Sequence, residues 1–214
     1  MDISASTFLP YDLANKIAGK NFNLYRFKLP QYTALFFNEN NSSFLKNLES
    51  RTALAAAIDK EKIIYEALAG HGESLQGPIL KGSLGYKENQ NVPGFDLEKA
   101  NQILDKNWSK IQPEEFFNLQ YSKAIKGRQS EIDAIKNSTT TPAEEIAAQV
   151  KQIEDTTNEQ VRESMSPSQS FYRKNKNNDI LSVTITTADT TEYIKAANSI
   201  AAMWEAAGVH TLIE

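Results

Sequence analysis

Asn47–Gly72 reads NLESRTALAAAIDKEKIIYEALAGHG and divides at Asp59 into two helices. In the first, Leu54, Ala55 and Ile58 fall on one stripe near the helical period, with Arg51 one turn earlier on the same side and Glu49 and Ala56 opposite. That stripe predicts a single buried face. Asp59 then offers a side-chain oxygen to the free amides of a helix starting at Lys60, which buries Ile63, Ile64, Ala67 and Leu68 until Gly70 supplies a left-handed stop. The physics alone gives a helix-turn-helix corner packed on a sheet.

Upstream of the corner, Pro10 opens a short helix through Ala18, because proline in a first turn loses no hydrogen bond, and Gly19 ends it. Phe22–Leu29 alternates as a strand that Pro30 breaks. Gln31–Asn38 follows, with Tyr32, Thr33, Leu35, Phe36 and Phe37 making it apolar on both faces, as a central strand would be. Downstream, His71–Phe95 holds no period but repeats Gly72, Gly77, Pro78, Gly82, Gly85, Pro93 and Gly94, the pattern of a long turn-rich loop. Such a loop serves either as a cover over a sheet edge or as a ligand-facing segment. Asp96 then caps an amphipathic helix running to Trp108, with Leu97, Ala100, Ile103 and Leu104 on its core face.

From Ser109 the character changes. Pro113–Lys136 sets Phe116, Phe117, Leu119, Ile125, Ile132 and Ile135 among charges, residues 137–141 make a turn, and Pro142 opens a helix with Ile146, Val150, Ile153 and Val161 at mostly helical spacing. This predicts an antiparallel helical hairpin whose narrow stripe suits one partner helix, with Ser164–Asn178 as a polar return loop. Leu181–Thr187 alternates as a strand, and Asp189 with Glu192 resembles a capping box for a helix facing inward with Tyr193, Ile194, Ala197, Ile200, Ala201 and Trp204. Gly208 ends that helix, and Val209, Thr211 and Ile213 open another strand. A strand-helix-strand unit of this kind calls for a right-handed crossover between parallel strands. The expected class is α/β, a mixed sheet flanked by helices, with 113–178 as an insertion between 1–112 and 179–214.

Several of these residues carry a resemblance. Arg51-x-Ala53-Leu54-x-x-Ala57-Ile58-Asp59-Lys60-x-x-Ile63, with Gly70 after it, resembles the second lobe of family 5 extracellular solute-binding proteins, the oligopeptide, dipeptide and nickel receptors of ABC importers. Tyr32-x-x-Leu35-Phe36-Phe37-Asn38 is similar to a strand of that lobe, the capped helix from Phe95 to Trp108 to one of its helices, and Ile200, Trp204, Gly208 and Val209 to its later strand-helix-strand unit. Asp2-Ile3 resembles the crossing from the first lobe into the second. The chain departs from the family pattern at Ser50, where an apolar residue is usual, at Asn107, where glycine is usual, and over 109–178, where the connection is usually much shorter.

The resemblance implies lobe II of a periplasmic-binding-protein-like fold and a fragment of a longer extracytoplasmic receptor, periplasmic or held as a lipoprotein. Its missing first lobe would close with it over an oligopeptide or similar small solute and present the ligand to ABC permease subunits. Ligand contacts would lie at the strand end, on Phe37 and Asn38, and on the loop at Pro78 and Tyr86. The acidic residue that grips a peptide amino group lies, in the family, beyond Glu214, so an isolated lobe is expected not to bind alone. Arg51 is expected to pair with a carboxylate inside the lobe. The alternative is a non-catalytic interaction module that docks a protein partner on the hairpin.

Composition narrows the classes. In 214 residues, 40% hydrophobic and 23% charged is a globular balance, and no apolar run approaches the ~20 residues of a spanning helix. A net charge of -4 argues against nucleic acid, which needs a basic patch; the basic runs Arg173–Lys176 and Lys123–Arg128 are expected to be solvated surface. With no cysteine there is no disulfide framework, thiolate nucleophile or thiolate metal site. The two histidines, His71 in the glycine-rich loop and His210 on a strand, are expected to be surface or hydrogen-bonded residues rather than ligands. Glu114-Glu115 and Glu144-Glu145 are first-turn charges that complement helix dipoles. Tyr25, Phe27, Tyr32, Phe36 and Phe37 are expected in the core. No nucleophile elbow, phosphate loop or dinucleotide fingerprint is present. Neither an enzyme nor a metal or other cofactor is expected.

Overall fold

The computed structural model describes residues 31–40, 42–88 and 94–214. The expected helix from Pro10 to Ala18, the strand Phe22–Leu29 with Tyr25 and Phe27, the Asp2-Ile3 crossing and Pro93 lie outside them. The described residues fall into two compact units. One holds those up to Ile103 with Ile185–Met203 and Ile213–Glu214; the other holds Leu104–Thr184 with Trp204–Leu212.

The first unit is built on the corner. Helices α1 (Ser43–Lys46), α2 (Leu48–Ala56) and α3 (Lys60–Leu68) follow one another, and α4 (Leu97–Leu104) comes after the loop. Each begins on a side-chain acceptor: Ser42 Oγ takes the Leu45 N–H at 3.3 Å, Asn47 Oδ1 the Glu49 N–H at 2.8 Å, Asp59 Oδ1 the Lys62 N–H at 3.1 Å, and Asp96 Oδ1 the Lys99 N–H at 2.8 Å. The buried face of α2 is Ser50, Ala53, Leu54 and Ala56, continued by Ala57, while Ala55 is exposed, so the expected places of Ala55 and Ala56 are exchanged. Alanine leaves a periodicity ambiguous, and backbone approach settles it: the Asp96 N–H bonds the Ala56 carbonyl at 2.8 Å, bringing the start of α4 onto this small-residue face. Ala100, Ala197, Ile200, Ala201 and Met203 are also buried in this unit, and the Asp59 N–H points to Met203 Sδ at 3.1 Å. Ser199 Oγ donates to Glu66 Oε2 at 2.6 Å.

Two further expectations in this unit are corrected. Gln31–Asn38 carries no strand and is exposed except for half-buried Phe37. Aromatic and branched residues favour a pleated surface only when a partner strand takes up their backbone groups, and composition cannot supply the partner. The left-handed stop of α3 begins one residue early, at Ala69 with φ 50°, before Gly70 at φ 78°.

The second unit contains the hairpin. Strand β1 (Ser109–Ile111) leads into α5 (Pro113–Gly127), α6 (Gln129–Lys136) and α7 (Ala143–Glu163), and β2 (Tyr172–Lys174) returns antiparallel to β1 with Ser109 opposite Lys174 and Ile111 opposite Tyr172. Helix α7 packs on both α5 and α6. At the break between α5 and α6, Arg128 reaches Thr157 Oγ1 of α7 at 3.2 Å and pairs with Glu131 at 3.0 Å. Helices α5–α7 occupy the stretch expected as a helical hairpin, and the stretch expected as its polar return loop contains β2, with Tyr172 and Arg173 fully buried. Arg173 therefore leaves the class of solvated charges.

Strands β3 (Ser182–Ile185) and β4 (His210–Ile213) pair with each other and flank α8 (Thr191–Ala206). His210 N–H bonds Leu181 O and Glu214 N–H bonds Ile185 O, both at 2.9 Å; the two bonds advance together along both strands, which is a parallel ladder. Helix α8 starts at Thr191, two residues beyond the anticipated Asp189 cap, and Tyr193 on it is 43% exposed rather than inward. One antiparallel and one parallel strand pair with eight helices make the described residues an α/β fold.

Candidate functional site

The four side chains expected to meet a ligand lie on two segments of the first unit, 31–40 and 71–88. Phe37 is half-buried and Asn38 exposed; Asn38 Oδ1 accepts the Asn40 N–H at 3.0 Å, which folds the chain back after the expected strand end. Glu39 follows, and its carboxylate meets Arg51 Nη1 at 3.2 Å. The same Arg51 nitrogen donates to the carbonyls of Leu45 at 2.7 Å and Lys46 at 3.1 Å, closing the end of α1. Arg51 thus makes the internal carboxylate pair expected of it, and it anchors the segment bearing Phe37 and Asn38 to the corner.

The loop segment is shaped by successive turns. Ser83 N–H bonds Leu80 O at 3.0 Å and Tyr86 N–H bonds Ser83 O at 3.1 Å, with Gly82 and Gly85 at φ 89° and 85°. Lys60 Nζ donates to Leu75 O at 2.7 Å and ties the loop's first part to the start of α3. Pro78 and Tyr86 are both exposed. Large apolar side chains stand in solvent on both segments, Phe36 at 82% exposure and Leu84 fully exposed, with Tyr32, Leu35 and Ile79 beside them in sequence. Phe36 and Tyr32 are therefore surface aromatics, not the core residues expected of a strand. A soluble chain rarely leaves so many large apolar groups uncovered unless a ligand or another protein surface meets them.

In the second unit His210 has a defined environment. It is only 6% exposed, with Nε2 2.9 Å from the Ser164 carbonyl and Nδ1 3.1 Å from Ser182 Oγ. Burial pushes its pKa below the usual 6.5, opposed by the Ser164 carbonyl and by Glu205. Burial likewise raises the Tyr172 phenol above 10.0. A hydrogen-bonded histidine was expected here; what the sequence did not signal is its burial among Phe116 and Tyr172, which are distant in the chain. His71 is exposed.

Among the described residues no group of three or more His, Asp and Glu side chains is placed to hold a metal ion. Nor is any helix of the described residues long and apolar enough to cross a membrane.

Residues 2–162 match the family model described as bacterial extracellular solute-binding proteins, family 5 Middle. The match reaches α7 and stops before the β3–α8–β4 unit. Two curated relatives carry binding-protein names. The probable D,D-dipeptide-binding periplasmic protein DdpA of Escherichia coli (strain K12) is 29% identical over 110 residues, 51% of this chain and 21% of that protein. The oligopeptide-binding protein AppA of Bacillus subtilis (strain 168) is 36% identical over 75 residues, 34% of this chain and 14% of that protein. The chain thus spans about a fifth or less of the length of these relatives. With the family model matched over residues 2–162, most of its length, the chain belongs to the bacterial extracellular solute-binding proteins of family 5.

Proposed function

We propose that this chain is part of an extracytoplasmic receptor that captures oligopeptides or a similar solute between two lobes and delivers them to an ABC importer. The observation that carries the reading is the family match over residues 2–162, supported by two relatives named for dipeptide and oligopeptide binding. In this reading the chain supplies the second lobe and acts by binding rather than by catalysis. A lipid-anchored or periplasmic receptor of this kind would be completed by a first lobe, and the lobe alone would hold peptide poorly. Phe37, Asn38, Pro78 and Tyr86 form the ligand-facing part of this lobe. Their support is position: two exposed, turn-shaped segments in one unit, one of them held by Arg51, carrying uncovered aromatic surface of the kind that packs on a peptide.

The hairpin fits a docking module less well, because none of its large apolar side chains between residues 113 and 163 is exposed. The test is native mass spectrometry of the complete receptor with a mixed peptide pool. Retained peptides, with affinity falling roughly tenfold or more in Asn38→Ala and Tyr86→Ala, support the proposal. Failure to retain any peptide, or retention undiminished by both substitutions, sinks the ligand or the site assignment respectively.

A further inference from the structure

The hairpin enters and leaves through the β1–β2 ladder and rests on a small apolar set: Ile111, Phe116 and Tyr172, with Leu119, Met165 and Ile180 against them. His210 of β4 belongs to the same place. Its ring lies 4.9 Å from that of Phe116 and 6.0 Å from that of Tyr172, while Phe116 and Tyr172 stack at 3.8 Å. Ser164, whose carbonyl meets Nε2, directly follows α7; Phe116 is in the first turn of α5; Ser182, which meets Nδ1, begins β3. One imidazole thus touches both arms of the hairpin and both strands of the parallel pair.

A carbonyl opposite Nε2 requires an N–H there, so the neutral ring accepts the Ser182 hydroxyl proton on Nδ1. A second proton would sit on Nδ1, turn Ser182 from donor to acceptor, and place a cation beside two aromatic rings with little access to water. The charged groups of the surrounding elements do little to receive it. Glu205 of α8 favours the cation, but its Oε2 already accepts from Ser166 Oγ at 2.8 Å. On α5, Glu115 is paired at 2.6 Å with Lys174 of β2. Arg173 of β2 is paired with Asp105, Arg162 of α7 lies over the Phe117 ring, and Tyr172 is held neutral by burial.

We propose that His210 is a protonation-sensitive latch for the hairpin: neutral, it pins α5 and α7 to β3 and β4; protonated, it lets them open. The sign follows from burial. The folded-state pKa is below that of the open state, so the latch is at full strength above the ordinary imidazole value of 6.5 and weakens as pH falls through it, levelling off once the closed form also protonates.

Hydrogen exchange of the whole chain at pH 7.5 and 5.5, corrected for the intrinsic pH dependence of amide exchange, tests this. Protection over α5–α7 should fall roughly threefold to tenfold relative to α2 and α3, and His210→Gln, which keeps a donor and an acceptor but cannot titrate, should abolish the difference. The latch is overturned if α5–α7 and α2–α3 respond alike, or if His210→Gln responds as the natural chain does. Should that variant not fold, the wild-type midpoint decides: it must coincide with the NMR titration of His210, and a midpoint in the carboxylate range overturns the proposal.

Discussion

Ala69 and Gly208 both sit at positive φ, 50° and 83°, and the same backbone region has opposite consequences for them. Ala69 ends α3, where its N–H and that of Gly70 both turn back to Ile64 O. An L side chain in this conformation costs about 1 kcal/mol, and the exposed Ala69 methyl does not repay it. Ala69→Gly removes the strain but loosens the unfolded chain, so a net gain of about 0.5 kcal/mol is expected. At Gly208 a Cβ would meet Phe171 Cε2 at 2.3 Å and Arg173 Cγ at 3.0 Å. Gly208→Ala therefore combines strain with overpacking and should cost about 2–4 kcal/mol. Urea midpoints of the two variants against the natural chain check both signs; equal small effects would mean that Phe171 yields freely.

Strand β2 shows where sequence reading stops. Caps at Asp59 and Asp96 were legible because acceptor and amide are three residues apart. Arg173 was not, because it looks like its neighbours in a basic run while its partners lie far along the chain: Asp105 Oδ1 at 2.6 Å, Trp108 O at 3.0 Å and Ala207 O at 2.7 Å. The fully buried guanidinium joins the end of α4, the entry to β1 and the end of α8 in one fork. The same distance effect explains the missed burial of His210 and the strand wrongly expected at Gln31–Asn38, since a partner determines each. Arg173→Lys keeps the charge but cannot reproduce the fork, and Arg173→Met leaves two carbonyls without their donor. Each should lower stability by about 3 kcal/mol in urea denaturation, with little recovery in the lysine variant; a lysine that restores the midpoint would reduce the fork to a simple charge pair.

At the scale of the molecule, the proposed ligand side chains and the hairpin belong to different units: Phe37, Asn38, Pro78 and Tyr86 to the first, α5–α7 to the second. The motifs that carry the family resemblance run from Tyr32 through the corner and the capped helix to the later strand-helix-strand unit, where helix periods and caps are local signals, whereas nothing in a glycine-rich segment names its ligand. The β1–β2 ladder turns this partition into an experiment. Ile111 and Tyr172 are opposed across it, so residues 112–171 can be replaced by an Asn-Gly turn without shifting the register. The excision removes Phe116 from its stack with Tyr172 and the Gln169 side-chain bond to Val209 O, so the shortened second unit should be less stable than the natural one. In the complete receptor it should nevertheless leave peptide affinity within about threefold. It should also erase the exchange response near the imidazole range, since His210 then has no hairpin to hold. Peptide capture by titration calorimetry, with exchange over α2–α3 as the check on folding, reads both outcomes. A folded, excised receptor that no longer binds peptide would move the hairpin into the ligand site and displace the assignment to Phe37, Asn38, Pro78 and Tyr86.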